Sequence, residues 1–324
     1  MVSTPVAFLK GVIMSKLSIV FAHRAPADYL LYTVAQLRAT NPEADIHVLL
    51  DYEDPFVSRY AKVASIFDYL PDVREFERDW VNFSSLGYHY ECFCSQRWLI
   101  LRNYALAHGL RRFIYLDSDV MTYSNLEADL APFAAHPISY AGGSAHTLFV
   151  EDFDCFVEFC QFLMNRYRDA SSLQEMHQQY RLHKERTPHG GISDMSHWVA
   201  FERKLGRSFG NLTATNEGVV VSTHSKISNP VTKQLEAVDF AWKEGRPFAQ
   251  DRYSNEFVRY STVHYQGSFK YLIARSFTGP AASGIKKEIR LRALRRILAA
   301  RGLERFLGQA GALDYRSRRL TFVP

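Results

Sequence analysis

The chain has 324 residues, enough for one large domain or two small ones with a substantial core. Its hydrophobic fraction of 47% against 23% charged residues is that of a globular protein and excludes a disordered or fibrous chain. The formal charge of +5 is uneven: from residue 271 onward twelve Lys and Arg face three Asp and Glu, so the excess belongs wholly to the tail.

Residues 1–13 read as a loosely attached extension before Met14-Ser15-Lys16-Leu17. Lys10 and Lys16 interrupt the apolar N-terminal run, leaving it short of the roughly 20 residues a membrane span needs. Leu17 to His23 predicts a first strand, Asp28 to Arg38 a helix broken by Asn41-Pro42, and Asp45 to Leu50 a second strand. A helix over 54–63 and a short strand near 64–67 would extend this alternation. Trp98 to His108 is helical and stopped by Gly109, and Phe113 to Leu116 is a strand. Beyond 130 come Gly142-Gly143 between apolar stretches, a helix from Asp152 to Tyr167, and a polar helix or mobile loop over 171–187. A turn cluster at Thr187 to Gly191 and strand-like pieces at 217–222 and 260–266 complete this part. Cys92, Cys94, Cys155 and Cys160 have no metal-site or disulfide-framework spacing and read as reduced core thiols of a cytoplasmic protein.

The most informative segment is Phe113-Ile114-Tyr115-Leu116-Asp117-Ser118-Asp119. An apolar strand that runs into two carboxylates predicts a site at the carboxyl edge of a parallel sheet. Carboxylates there are costly unless paired or bound to metal, which points to a metal or phosphate site. Val263-His264-Tyr265-Gln266-Gly267-Ser268-Phe269-Lys270 supplies the complement. A strand-end His can ligate a divalent cation, Gly lets backbone approach a phosphate, and Lys adds positive charge. The other reading is a core histidine followed by a turn glycine. Gly190-Gly191-Ile192-Ser193-Asp194 suits a tight loop that brings a carboxylate to a ligand, or an Asp194 cap on a helix from Met195. Gly142-Gly143-Ser144 suits a donor-sugar floor or a strand bulge.

Asp-x-Asp after an apolar strand, followed by His-x-x-Gly-x-x-Lys, resembles the GT-A glycosyltransferases, in particular the family 8-like group that uses nucleotide-sugar donors. Ile19 to His23 followed by Asp28-Tyr29 is similar to that family's uracil-binding first strand. The resemblance implies an α/β fold of GT-A type, a Rossmann-like, mostly parallel sheet with flanking helices. It implies a catalytic domain over 1–277, with a basic helical tail over 278–324. Ala22 and His23 would lie along the uridine, Tyr29 on the base and Arg97 near the donor. Mn²⁺ or Mg²⁺ would be held by Asp117, Asp119 and His264, with Gly267 and Lys270 at the diphosphate. Asp194 would reach the donor sugar or the acceptor, and would be the first candidate base of an inverting route; the family favours retention. Two departures stand out: Tyr271-Leu272 follow the lysine where the family commonly has Pro-Trp, and His23 stands where an acid is often found. The implied reaction is metal-dependent transfer from a nucleotide sugar, a UDP-sugar, to a glycan or lipid-linked acceptor in cell-surface polysaccharide synthesis.

In the tail, Ile289, Ala293, Leu294, Ile297 and Leu298 have helical spacing, with Arg292, Arg295 and Arg296 opposite. That pattern predicts contact with an anionic membrane surface from the cytoplasmic side, the other reading being a helix docked on the catalytic domain with solvated arginines; nucleic acid is not expected, since no aromatics interleave the basic run. Two alternatives to the transferase are a haloacid-dehalogenase-type phosphatase with Asp117 as nucleophile and Asp119 as acid/base, and a non-catalytic membrane-surface protein.

Overall fold

The computed structural model describes residues 16–207, 209–228, 234–251 and 255–300. The expected extension over 1–13 and the tail beyond 300 lie outside them.

The chain opens with β1 (Ser18–His23), α1 (Asp28–Thr40), β2 (Asp45–Leu50) and β3 (Lys62–Ser65). It continues with α2 (Val73–Asp79), α3 (Tyr88–His108), β4 (Phe113–Leu116), β5 (Val120–Thr122) and α4 (Leu126–Leu130). Next come β6 (Ile138–Ala141), β7 (Ser144–Val150), α5 (Phe153–Arg168), α6 (Ala170–Arg186) and α7 (Asp194–Leu205). The rest is β8 (Gly210–Asn211), β9 (Thr215–Asn216), β10 (Val219–His224), β11 (Lys226–Ser228), β12 (Leu235–Ala237), β13 (Ala241–Lys243), β14 (Arg246–Gln250), β15 (Phe257–His264) and α8 (Ala282–Ala300).

Local chemistry sets several boundaries. Asp28 opens α1 where the helix dipole favours an acid. Asp152 caps α5 by accepting from the Asp154 and Cys155 amides. Gly109 ends α3 at φ 65°, a left-handed conformation that favours glycine. The expected helix over 54–63 is not formed. Asp54 Oδ1 accepts from the Phe56 and Val57 amides, as a helix cap would, but only a single 3-10 turn at Val57–Arg59 follows before β3. The four cysteines are free and buried.

Among the described residues the main sheet has seven strands in the order β3-β2-β1-β4-β7-β6-β8. β1, β2, β3 and β4 are parallel, and β7 joins β4 antiparallel. Alternation along β1 and β4 sends Ile19, Phe21, Ile114 and Leu116 to a core shared with α1 and α8. Val20, Ala22, Phe113 and Tyr115 go to a second core under α3, α5 and α7, where Trp198 stacks on Phe159.

Immediately after Asp119 the chain changes sheets. β5 pairs antiparallel with β15, setting Val120 opposite His264. β10 lies parallel on the other side of β15, with His224 opposite His264. Strand pairing thus brings His264 beside residues that precede it by more than 140 positions.

The first half of α8 is docked on the domain. Ile285 is fully buried, and Ile289 packs against the same core as α1. Arg292, 2% exposed, bonds Asp54 at 2.6 Å and Glu288 at 3.1 Å. This corrects the expected amphipathic arrangement: Ile289 and Arg292 both face the protein, while Leu291, Leu294 and Ile297 are exposed. No helix among the described residues is long and apolar enough to cross a membrane.

Candidate active site

Parallel strands β1 and β4 end side by side, so His23 and the Asp117-Ser118-Asp119 segment meet at one sheet edge. The two carboxylates then part in role. Asp117 Oδ1 accepts from Arg97 Nη1 and Tyr115 Oη, both at 2.6 Å. Its other oxygen lies 4.0 Å from His264 Nε2. Asp119 is buried, with one oxygen 3.2 Å from His264 Nε2 and the other 3.2 Å from Lys270 Nζ. Burial alone would raise the Asp119 carboxyl, but the His264 contact and the Lys270 charge hold it well below the usual carboxylate range.

One ligand atom each from Asp117, Asp119 and His264 lie within 4.8 Å of one another. Two carboxylates and an imidazole suit a hard divalent ion such as Mn²⁺ or Mg²⁺, so the residues fit the expected metal. His264 Nδ1 is buried without a hydrogen-bond partner, and the ring's Nε2 faces the carboxylates.

Lys270 also reaches Tyr29: its ammonium lies 4.9 Å from the ring centroid and 3.5 Å from the hydroxyl. The Gly267–Leu272 turn carries it, starting from Gly267 at φ 64°. His23 packs edge-on to Tyr29, and its Nδ1 is 2.9 Å from Ser118 Oγ. Burial drives the His23 ring down to about 4, against Asp51, so it is neutral near pH 7. Its Nε2 is buried and has no hydrogen-bond partner. Ala22, one residue earlier, is buried within the strand.

Arg97 reaches the site from beneath. It is buried, and besides Asp117 it bonds Asp194 Oδ2 at 2.7 Å. Trp98 Nε1 donates to the same oxygen at 3.1 Å. Asp194, 2% exposed, accepts from both Arg97 and Trp98 through one oxygen, so Arg97 bridges it to Asp117. It does not cap a helix from Met195: α7 starts at Asp194, and the preceding Ser193 amide donates to Ser196 Oγ. Gly142-Gly143 is the turn of the β6–β7 hairpin.

Sequence reasoning missed His146 and His224. His146, on β7, is fully buried and stacks on His264 with centroids 4.2 Å apart; its ring nitrogens contact Ser144 and Ser222. His224 is 5.1 Å from His264, centroid to centroid. Only strand register brings these three together, and no local motif announces it.

No family model and no curated protein matches the chain. Solved structures do. Mouse xyloside xylosyltransferase 1 aligns over 64% of this chain and 87% of its own, at 10% identity and TM-score 0.46. The WbbM bifunctional glycosyltransferase aligns over 86% of this chain, which spans about half of it (52%), at 12% identity and TM-score 0.46. The galactosyltransferase LgtC, solved with donor and acceptor sugar analogues, aligns over 84% and 94%, at 13% identity and TM-score 0.38. The chain resembles the GT-A-type class in its own topology: a Rossmann-like parallel half, an Asp-x-Asp at its carboxyl edge, and a crossing there into a second sheet.

Proposed function

We propose that the protein is a metal-dependent glycosyltransferase that takes a sugar from a nucleoside diphosphate donor, a UDP-sugar. One observation carries this reading: Asp117, Asp119 and His264 converge at the end of β4, flanked by Lys270 and by Tyr29 with His23. A divalent cation held there supplies Lewis-acid neutralisation of the leaving diphosphate. Lys270 adds a second positive charge to the same oxygens once it leaves Asp119. Tyr29 offers an aromatic face for the base, and His23 an unpartnered ring nitrogen beside it. Arg97, Tyr115 and Asp194 position Asp117. Asp194 uses one oxygen, Oδ2, on both Arg97 and Trp98, and burial raises its carboxyl above the usual range; it is the resemblance to the family 8-like group that favours retention.

The phosphatase alternative fares worse. Its nucleophile would be Asp117, and two strong donors already occupy one oxygen of that carboxylate. The acceptor is a glycan or lipid-linked glycan in cell-surface polysaccharide synthesis. The outward face of α8, where Leu291, Leu294 and Ile297 stand among exposed Lys287 and Arg290, supports contact with an anionic membrane from the cytoplasmic side.

Calorimetric titration with UDP tests the reading. Binding should require Mn²⁺ or Mg²⁺ and should be lost in Asp119→Ala; metal-independent binding, or none, overturns it. For the membrane surface, co-sedimentation with phosphatidylglycerol vesicles should fall in Leu294→Glu/Ile297→Glu, and an unchanged bound fraction refutes it.

A further inference from the structure

A cavity of about 690 Å³ opens between α5, α6 and α7. One end is at Gly143 and Met195. Ser144 Oγ, next to Gly143, lies 3.3 Å from Met195 Sδ and 2.9 Å from His146 Nδ1, and His146 stacks on His264. The groove therefore starts two side chains away from the candidate metal ligand and runs outward along α7.

Its lining is basic. Arg166, Arg203 and Lys204 face it, and none of the three is ion-paired with a carboxylate among the described residues. Arg166 and Lys204 both lie over the Phe162 ring, at 5.8 and 5.2 Å from its centroid. Glu175, the carboxylate of the lining, accepts from Gln179 and neutralises none of them. Three unpaired cations at one mouth are self-repelling, an arrangement that a bound anion relieves.

A second, independent observation points the same way. His197 lines this cavity, is 1% exposed, and uses Nε2 on Tyr167 Oη at 3.0 Å. Its Nδ1 is buried with no hydrogen-bond partner, and so is Arg166 Nε. Buried polar atoms without partners cost stability, and these two lie just behind the groove wall. Burial lowers the His197 ring to about 3, so it serves as a neutral hydrogen-bonding group near pH 7. Ile192, Met195 and Val199 make the rest of the wall apolar.

We propose that this groove binds the acceptor through a negatively charged group on the acceptor glycan, a phosphate or a sugar carboxylate, held by Arg166, Arg203 and Lys204. The inference rests on the transferase reading and names the acceptor class for it: an acidic glycan rather than a neutral one.

The test uses three probes on the full chain: glucose 6-phosphate, a glucuronic-acid-containing disaccharide, and neutral cellobiose, each titrated at low salt. At least one charged probe should bind tenfold or more tightly than cellobiose, weaken as salt is raised, and lose tenfold or more in affinity in Arg203→Gln/Lys204→Gln. The better of the two charged probes separates phosphate from carboxylate. UDP titrated alongside separates this inference from the reading beneath it, because the double substitution should leave UDP affinity unchanged. Equal binding of cellobiose, retention of affinity in the double variant, or competition of the charged probes with UDP overturns the groove assignment. Failure of UDP to bind in the presence of Mn²⁺, while the charged probes bind, overturns the donor reading and leaves the groove measurement standing. Both substituted residues are exposed on α7, so a thermal melt close to that of the parent chain is the expected control.

Discussion

Arg292 on α8 donates to Asp54 at 2.6 Å, and both side chains are only 2% exposed although 238 residues separate them. A buried ion pair is weak evidence for added stability, but breaking it from one side leaves an uncompensated charge. Arg292→Ala should therefore destabilise the protein by about 3–5 kcal/mol, read as a lower urea midpoint. Arg292→Met paired with Asp54→Asn should recover much of that loss. If Arg292→Ala costs nothing, α8 is not docked as described.

Tyr29 is the expected base platform. Stacking of a base on an aromatic ring contributes about 1–3 kcal/mol, so Tyr29→Ala should weaken UDP binding roughly tenfold to a hundredfold. Tyr29→Phe keeps the ring and should retain most of the affinity. Equal losses in both variants would move the contribution from the ring to the hydroxyl, which faces Lys270 and Ser118.

Glu91 gives a pH dependence. It lies in the first turn of α3, 4% exposed, and burial with the nearby Asp194 charge raises its carboxyl to about 7. The folded state then holds this proton to higher pH than the unfolded state, which releases it near the ordinary value of about 4.5. Stability should accordingly fall as pH rises from about 4.5 to about 7. Glu91→Gln should raise the melting temperature at pH 8 and change it little at pH 4.5. An equal change at both values would show that the charge is not the cause.

Gly191 secures the approach to α7. Its φ is 148°, and an added Cβ would run into the Phe83 carbonyl, across the bridge that pairs Gly191 with Ser84. Gly191→Ala should displace the 187–193 segment, lower the melting temperature and weaken metal-dependent UDP binding indirectly, through Asp194 and Arg97. Gly143→Ala is the contrast, since open space surrounds its Cβ position. Strain from its φ of 81° remains there, so a smaller loss is expected.

The convergence of Asp117, Asp119 and His264 was legible because the pattern around each is local. An apolar run ending in Asp117-Ser118-Asp119 declares both a strand and its functional edge, and His264 to Lys270 repeats the pattern with opposite charge. One region misled for a physical reason. Around Asp54 the residue composition caps a turn as well as a helix, and a single 3-10 turn forms, with Arg292 from a helix far along the chain bonded to the same carboxylate. The bridge that Arg97 makes between Asp117 and Asp194 was not legible, because nothing local in a sequence pairs residues 97 positions apart. His146 and His224 escaped notice because only register sets them beside His264.

Lys270 on Asp119 has a consequence for the order of events. Arg97 is shared between Asp117 and Asp194, and Lys270 is the cation that pairs with Asp119. A divalent ion arriving alone must evict the ammonium and leave it without a counter-charge, whereas one arriving with a diphosphate hands Lys270 a new anion. Metal and nucleotide should therefore bind as mutual promoters, each raising the other's affinity by the same factor. Neutralising the lysine, as in Lys270→Met, should tighten the bare ion while weakening the nucleotide, uncoupling two affinities that the parent protein keeps linked.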